Sequence, residues 1–200
     1  MAIIIGLTGG IASGKTFVSN YLKKLNYSVH ESDIVVSKLY EKPKVKFISF
    51  LKKNGFENAI KKNKINKKII RDEIFNFYQK KIKIEKYIHN EIKKNRKIFL
   101  KKNKNKKIVI LDIPLLFEKK LEKECNFTCS TIATLKNRKQ RALKRQHMNA
   151  ILFSKIVKNQ TTDKVRKQKS NYLINTNLSK TKTCLQVEDM IYDILKKGKK

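Results

Sequence analysis

The sequence predicts an α/β fold three layers deep, with helices covering both faces of a parallel sheet. Three observations carry that prediction. A β-branched run at the amino terminus passes through a Gly-rich turn into an amphipathic helix; Ile108–Leu111 is wholly apolar and closes on Asp112; the stretch between has helical periodicity. At 200 residues and 40% hydrophobic content, the chain suits one core with insertions rather than several domains.

Ala2–Gly6 forms the first strand, and from Lys15 to Leu25 the residues Val18, Tyr21, Leu22 and Leu25 fall on one helical stripe. Asn26 closes that helix, and Tyr27–His30 is a second short strand delivering Glu31, Ser32 and Asp33 at its carboxyl end. From Ile34 to Phe99 the pattern turns helical, with breaks at Pro43 and Asn54–Gly55 and stripes such as Ile70, Ile74 and Phe77, so an all-helical insertion is expected over residues 34–107. Lys101–Lys107 reads as a solvated loop before the buried strand Ile108–Asp112, which Pro114 stops. Phe127–Leu135 is a weaker strand, interrupted by Thr and Ser. Lys136 then opens a long basic helical region with little core signal before a last strand at Tyr172–Asn175 and an amphipathic helix at Leu185–Leu195. The core is therefore expected in residues 1–33, 108–136 and 171–200, with 137–170 standing apart.

Forty-nine Lys and Arg against 16 Asp and Glu leave a net charge of +33, which raises nucleic acid as a partner. The cations are nearly all Lys, mixed with Asn and Ile along the whole chain, a composition that the codons of an AT-rich genome explain without a ligand. No helix-turn-helix, RNP or zinc signature accompanies the charge, so no specific nucleic acid is expected. No apolar run reaches the length of a membrane span, and Ala2–Leu7 lacks the basic flank of a secretory signal, so a cytoplasmic protein without membrane association is expected. Cys125, Cys129 and Cys184 form neither a disulfide framework nor a zinc site.

Gly9-Gly10-Ile11-Ala12-Ser13-Gly14-Lys15-Thr16 satisfies G-x-x-x-x-G-K-[ST] between a predicted strand and a predicted helix. Such a loop wraps phosphate because successive N–H groups face inward and the helix amino end adds partial positive charge. Gly10, Ile11, Ala12, Ser13, Gly14, Lys15, Thr16 and Phe17 are the expected nucleotide-binding residues. Lys15 reaches the β and γ phosphates and the Thr16 hydroxyl is the expected Mg²⁺ ligand beside ATP. A Gly-rich turn without ligand is the bland alternative. Guanine-specific N-K-x-D and D-x-x-G are both missing, and Ile113 rather than a carboxylate follows Asp112, which disfavours GTPases and water-activating ATPases. A small-molecule kinase with an acceptor pocket and a closing lid fits better.

The opening Gly6-Leu7-Thr8-Gly9-Gly10-Ile11, the acidic pair around Asp33, Arg71 with Ile74-Phe75, His89, Pro114-Leu115-Leu116-Phe117-Glu118 and Ile174-Asn175 together resemble the dephospho-coenzyme A kinase family, over nearly the whole chain. The resemblance implies a P-loop kinase fold with a helical acceptor-binding insertion and a helical lid at 137–170. It implies transfer of the ATP γ-phosphoryl to the ribose 3′-hydroxyl of dephospho-coenzyme A, the last step of coenzyme A synthesis. Another nucleotide or nucleoside kinase, and more remotely a basic nucleic-acid-binding protein, are the competing readings; a monomer or weak homo-oligomer is expected.

Asp33, at the carboxyl end of a strand, stands where open α/β sheets expose their crevice, and the resemblance makes it the base near the acceptor hydroxyl and a second Mg²⁺ ligand. A helix cap is its simpler role. Arg141 and Arg145, four apart, share one face of a predicted helix with Arg138 on the same stripe; guanidinium groups there suit a transferring phosphoryl, against a merely solvated basic face. The resemblance puts them in the lid as catalytic residues with Asp33 and Lys15. It also assigns Arg71 and His89 to the acceptor, although an ordinary histidine is as good a reading of the latter, and adenine-side contacts to Asn175, otherwise a turn residue. Pro114 and Leu116 are expected to shape the acceptor pocket, while Leu115, Leu116 and Phe117 are more simply core, and Asp112 is a residue behind the metal. Four positions depart from the family pattern: Ala12 where Gly is common, Glu31 where Asp is common, Asn90 where Pro often follows His, and Ser170-Asn171 in place of Ala-Asp.

Overall fold

The computed structural model describes residues 2–198, so the outermost ends of the expected core, Met1 and Lys199–Lys200, lie outside the described residues. Five strands form one sheet in the order β2-β5-β1-β6-β7: β1 (Ile3–Gly9), β2 (Ser28–Glu31), β5 (Ile108–Asp112), β6 (Phe127–Ile132) and β7 (Tyr172–Asn175). The pairings β1–β5, β1–β6 and β6–β7 are all parallel, with Ile5 level with Ile110 and with Phe127. As the central strand of a parallel sheet on which helices pack, β1 is half-buried at Ile3 and Ile4 and buried from Ile5 onward, which suits its continuously apolar run Ile3–Leu7.

Helices α1 (Lys15–Lys24) and α9 (Lys180–Lys197) supply the apolar layer against this sheet. Val18 and Leu22 of the first, and Val187, Ile191 and Ile194 of the second, are buried with Ile5, Leu7 and Ile110. Asn26 ends the first helical segment in a left-handed conformation at φ 61°, as its residue type anticipates. The chain divides into two compact units, one from the described part of Met1–His30 and Asn103–Lys200, the other Glu31–Lys102.

The second unit holds α2 (Ser32–Glu41), α3 (Val45–Lys53), α4 (Lys67–Asn76) and α5 (Tyr78–Lys102). Its core is Phe47, Leu51, Phe56, Ala59, Ile70 and Ile84. Tyr87 stacks on Phe50 with ring centroids 4.3 Å apart. The expectation of an all-helical insertion is corrected here. Ile60–Lys61 (β3) and Lys64–Ile65 (β4) form an antiparallel hairpin, made possible because Lys62 and Asn63 both take positive φ, 47° and 59°, the signature of a tight hairpin turn. The helical pattern also begins at Ser32 rather than Ile34, and α5 runs through Lys102 into the lysine-rich stretch.

The basic region after β6 is three helices, α6 (Leu135–Leu143), α7 (Ala150–Lys158) and α8 (Asp163–Lys169). Thr134, Asn149 and Thr162 cap them, each side chain accepting from the N–H three residues on. Little core signal was expected in this region, yet Arg138, Ala142, Phe153 and Arg166 are all buried. A second correction concerns Arg145: the helix carrying Arg141 stops at Leu143, so Arg145 lies in the following turn, exposed, its N–H bonded to Ala142 O at 2.9 Å.

Candidate active site

Residues 10–14 bridge the end of β1 and the start of α1, and Gly14 turns the chain with φ 89°, a conformation that a side chain disfavours. The N–H groups of the first turn of α1, at Lys15 and Thr16, have no partner within the helix and concentrate the positive end of its dipole at the loop. Ala12 also sits in the left-handed region, at φ 57°, so the departure from the family glycine falls where glycine is easiest.

Neighbouring strands hold the loop. Ser13 Oγ and Thr131 Oγ1 share a 2.7 Å hydrogen bond, and Thr131 donates to Thr8 O at 3.3 Å. Just past β7, Thr176 Oγ1 donates to Ser13 O at 2.7 Å. Thr131, one of the Thr and Ser residues that weaken β6 as a strand signal, is thus the one that fastens the phosphate loop. The same logic explains Ser170-Asn171. Ser170 Oγ donates to Ser130 Oγ at 2.7 Å, and Asn171 Oδ1 accepts from Thr128 N at 2.8 Å, knitting β6 to the start of β7.

Lys15 forms an ion pair with Asp112, which β5 presents beside β1 and which is almost wholly buried. Thr16 is exposed with its hydroxyl in the first turn, and Phe17 is half-buried. Arg141 donates through Nη2 to Thr176 O at 2.6 Å and through Nη1 to Thr176 Oγ1 at 3.0 Å, so it closes the same cluster from α6. Arg138, one turn earlier, is 3% exposed and donates from Nε to Ile11 O at 2.9 Å. Burial pulls its guanidinium below its ordinary value, and the Asp163 carboxylate beside it opposes that shift. The guanidinium packs on Gly10, where a Cβ would stand 2.6 Å from Arg138 Cζ, which explains a glycine at that position.

Thr8 Oγ1 donates to Pro114 O at 3.1 Å, placing the half-buried Pro114 at the loop's edge. Leu116 is fully buried and Phe117 nearly so, whereas Leu115, expected in the core, is 37% exposed. Leu116 is therefore a support beneath that edge rather than a surface. Asn175, the last residue of β7, accepts from Asn177 N at 3.0 Å and is held through its backbone by Gln186. Asp33, Arg71 and His89 belong to the second unit, exposed on α2, α4 and α5 respectively; Asp33 lies in the first turn of its helix, two residues past the end of β2. The structure thus brings together the loop, Asp112, Pro114, Arg141 and the β7 end within the first unit. Arg138, on the stripe the sequence singles out, belongs to that set, as do Thr131, Gln160 and Thr176, which residue patterns miss. The three cysteines are unbridged, and burial pushes the Cys129 thiol up to about 12.

A parallel five-stranded sheet, with a phosphate loop leaving its central strand into a helix, defines the class of P-loop kinases. Shikimate kinase from Acinetobacter baumannii shares this fold, with a TM-score of 0.51 at 15% identity over 98% of this chain and 95% of that one. The dephospho-CoA kinase family model matches residues 3–182, and the chain belongs to that family, whose members transfer phosphate from ATP to an alcohol group. Dephospho-CoA kinase of Bartonella quintana is 35% identical over 195 residues, covering 96% of this chain and 98% of its own. The solved dephospho-CoA kinase of Campylobacter jejuni has a TM-score of 0.71 at 20% identity, covering 99% of this chain and 100% of that one. Among the described residues no helix is long and apolar enough to cross a membrane.

Proposed function

We propose that this chain transfers the γ-phosphoryl of ATP to the ribose 3′-hydroxyl of dephospho-coenzyme A, giving coenzyme A and ADP in the cytoplasm. The observation that carries the reading is the phosphate loop, strapped by Thr131 and Thr176 and opening α1 with Lys15, in a chain that the family model matches over residues 3–182. The loop residues Gly10 to Phe17 enclose the β phosphate, which accepts from backbone N–H groups such as those of Gly14, Lys15 and Thr16, and Lys15 exchanges Asp112 for phosphate oxygens. Thr16 supplies a hard oxygen for Mg²⁺ with Asp112 behind it. Among the described residues no group of three His, Cys, Asp or Glu could hold a metal, which suits an ion bound mainly through phosphate and water. When bound, the ion neutralises charge growing between the β and γ oxygens.

Asp33 orients the acceptor hydroxyl and accepts its proton, and also contributes to the metal. Arg141 and Arg145 act from the lid at 137–170 on the transferring charge, the second from the turn after α6 rather than from its helix face. Arg71, His89 and Pro114 contact the acceptor, and Asn175 the adenine side. ADP release with ATP and Mg²⁺, compared across dephospho-coenzyme A, AMP, adenosine and no acceptor, tests this directly. Release is expected to require dephospho-coenzyme A and to fall about 100-fold in kcat for Asp33→Asn, the scale of a lost general base. Release without acceptor, or with AMP alone, would leave the phosphate loop standing and overturn the substrate.

A further inference from the structure

The Ile11 peptide at the crown of the phosphate loop is gripped from both sides. Its N–H donates to Gln160 Oε1 at 2.8 Å, and its carbonyl accepts from Arg138 Nε at 2.9 Å. Gln160 follows α7, and Arg138 lies on α6, so both grips come from the helices after β6. Arg138 is in turn fixed by Asp163, whose Oδ2 accepts from Arg138 Nη1 at 2.7 Å. The other oxygen of Asp163 accepts from Arg166 Nη1 at 2.9 Å, and Arg166 Nη2 lies 3.5 Å from Glu118 Oε1. Glu118 Oε1 also accepts from Thr161 N at 2.7 Å, which anchors the residue after Gln160.

The cluster is balanced: two guanidinium groups, 3% and 1% exposed, face two carboxylates. Such balance is uncommon in a chain with 49 cations and 16 anions, and a buried cation without its partner is unstable. Of the two carboxylates, Asp163 is the one that contacts both guanidinium groups, so its charge sets where Arg138 rests and hence where the Ile11 carbonyl rests. Immediately after that peptide, Ala12 takes a left-handed conformation unfavourable to a side chain, which persists only where surrounding contacts over-determine it.

We propose that Asp163 and Gln160 are positioning residues for nucleotide binding, which fix the Ile11 peptide from its carbonyl and N–H sides and hold the loop in its phosphate-ready bend. The proposal rests on the nucleotide-binding half of the function above and is independent of the acceptor. Neither residue touches the nucleotide, so their loss acts through loop geometry, to which tightly placed phosphate contacts are sensitive.

Calorimetric titration of the full chain with ADP and Mg²⁺ provides the test, beside thermal unfolding of each variant. Asp163→Asn and Gln160→Ala should each weaken ADP by about tenfold while remaining folded at the assay temperature. Val187→Ala, a core truncation remote from the loop, should lower Tm and leave ADP affinity as in the wild type. If Asp163→Asn does not fold, Arg138→Lys decides the carbonyl side. It keeps a cation for Asp163 but lacks the planar fork that reaches Ile11 and Asp163 together, and it too should weaken ADP. Wild-type affinity in folded Asp163→Asn, or in Arg138→Lys where that stands in, removes the carbonyl-side role; wild-type affinity in Gln160→Ala removes the N–H side. Equal weakening by Val187→Ala would mean that affinity follows stability, and the positioning role would fall. A wild type that bound no ADP would overturn the nucleotide reading itself.

Discussion

At Ala12, three effects of similar size meet. Holding an L-residue left-handed disfavours the native state by roughly 1–2 kcal/mol. Against that, the methyl group is buried beside Ala142 and Phe153, where a CH₂ contributes about 0.8 kcal/mol. A glycine would also loosen the unfolded chain, at about 0.4–1 kcal/mol. Ala12→Gly should therefore be nearly neutral, moving Tm by no more than about 4 °C, the shift that about 1 kcal/mol produces in a chain of this size. Differential scanning calorimetry checks it; a much larger fall would show that packing under the loop outweighs backbone strain. The case marks what sequence reading achieves at single residues. G-x-x-x-x-G-K-T is legible because its backbone demands are local. The grips on it are not: Thr131, Gln160 and Thr176 come from 118 or more residues downstream, nothing in their own neighbourhoods distinguishes them from ordinary polar positions, and the stripe that marks Arg138 does not say that it holds the loop.

Elements whose signals are periodic emerged cleanly from the sequence, including β5 and β7 at the expected residues. The hairpin of β3 and β4 did not, because each strand is two residues long and its turn carries Lys62 where Asn or Gly is usual. Lys62 spends energy to hold φ at 47°, so an Asn-Gly turn should suit the hairpin better. Lys62→Asn combined with Asn63→Gly is expected to stabilise the hairpin by about 1 kcal/mol. The local readout is amide exchange at Asn66, whose N–H donates to Ala59 O at 2.8 Å and closes the base of the hairpin. Its exchange should slow about fivefold, the factor that 1 kcal/mol represents. Unchanged exchange would show that the turn is fixed by the helices on either side. The three helices after β6 were likewise read as one basic region. Their starts are marked by single side chains at Thr134, Asn149 and Thr162, and a cap is a weaker signal than a run of lysines.

The molecule as a whole carries more like charge than its ion pairs can absorb. Even if every one of the 16 acidic groups were paired, 33 cations would have no opposite partner on the chain. Folding brings those charges closer together, so the compact state bears a repulsion that the extended chain largely avoids. Most are solvated lysines, and interactions between exposed charges are screened beyond about 30 Å at 0.01 M salt but already beyond about 8 Å at 0.15 M. Salt should therefore raise Tm steeply at low ionic strength and level off near physiological concentration, the opposite of a protein held by surface ion pairs. The Arg138–Asp163–Arg166 cluster should share this dependence only weakly, because its two guanidinium groups are buried although Asp163 is 35% exposed. A titration with sodium chloride, followed by Tm and by ADP affinity, reads the screening twice. Repulsion predicts that stability rises with salt. ADP affinity should fall over the same range, because an anionic ligand entering a cationic field is drawn less strongly once that field is screened. A Tm that fell with added salt would mean that attractive surface pairs, few as the carboxylates are, outweigh the net charge.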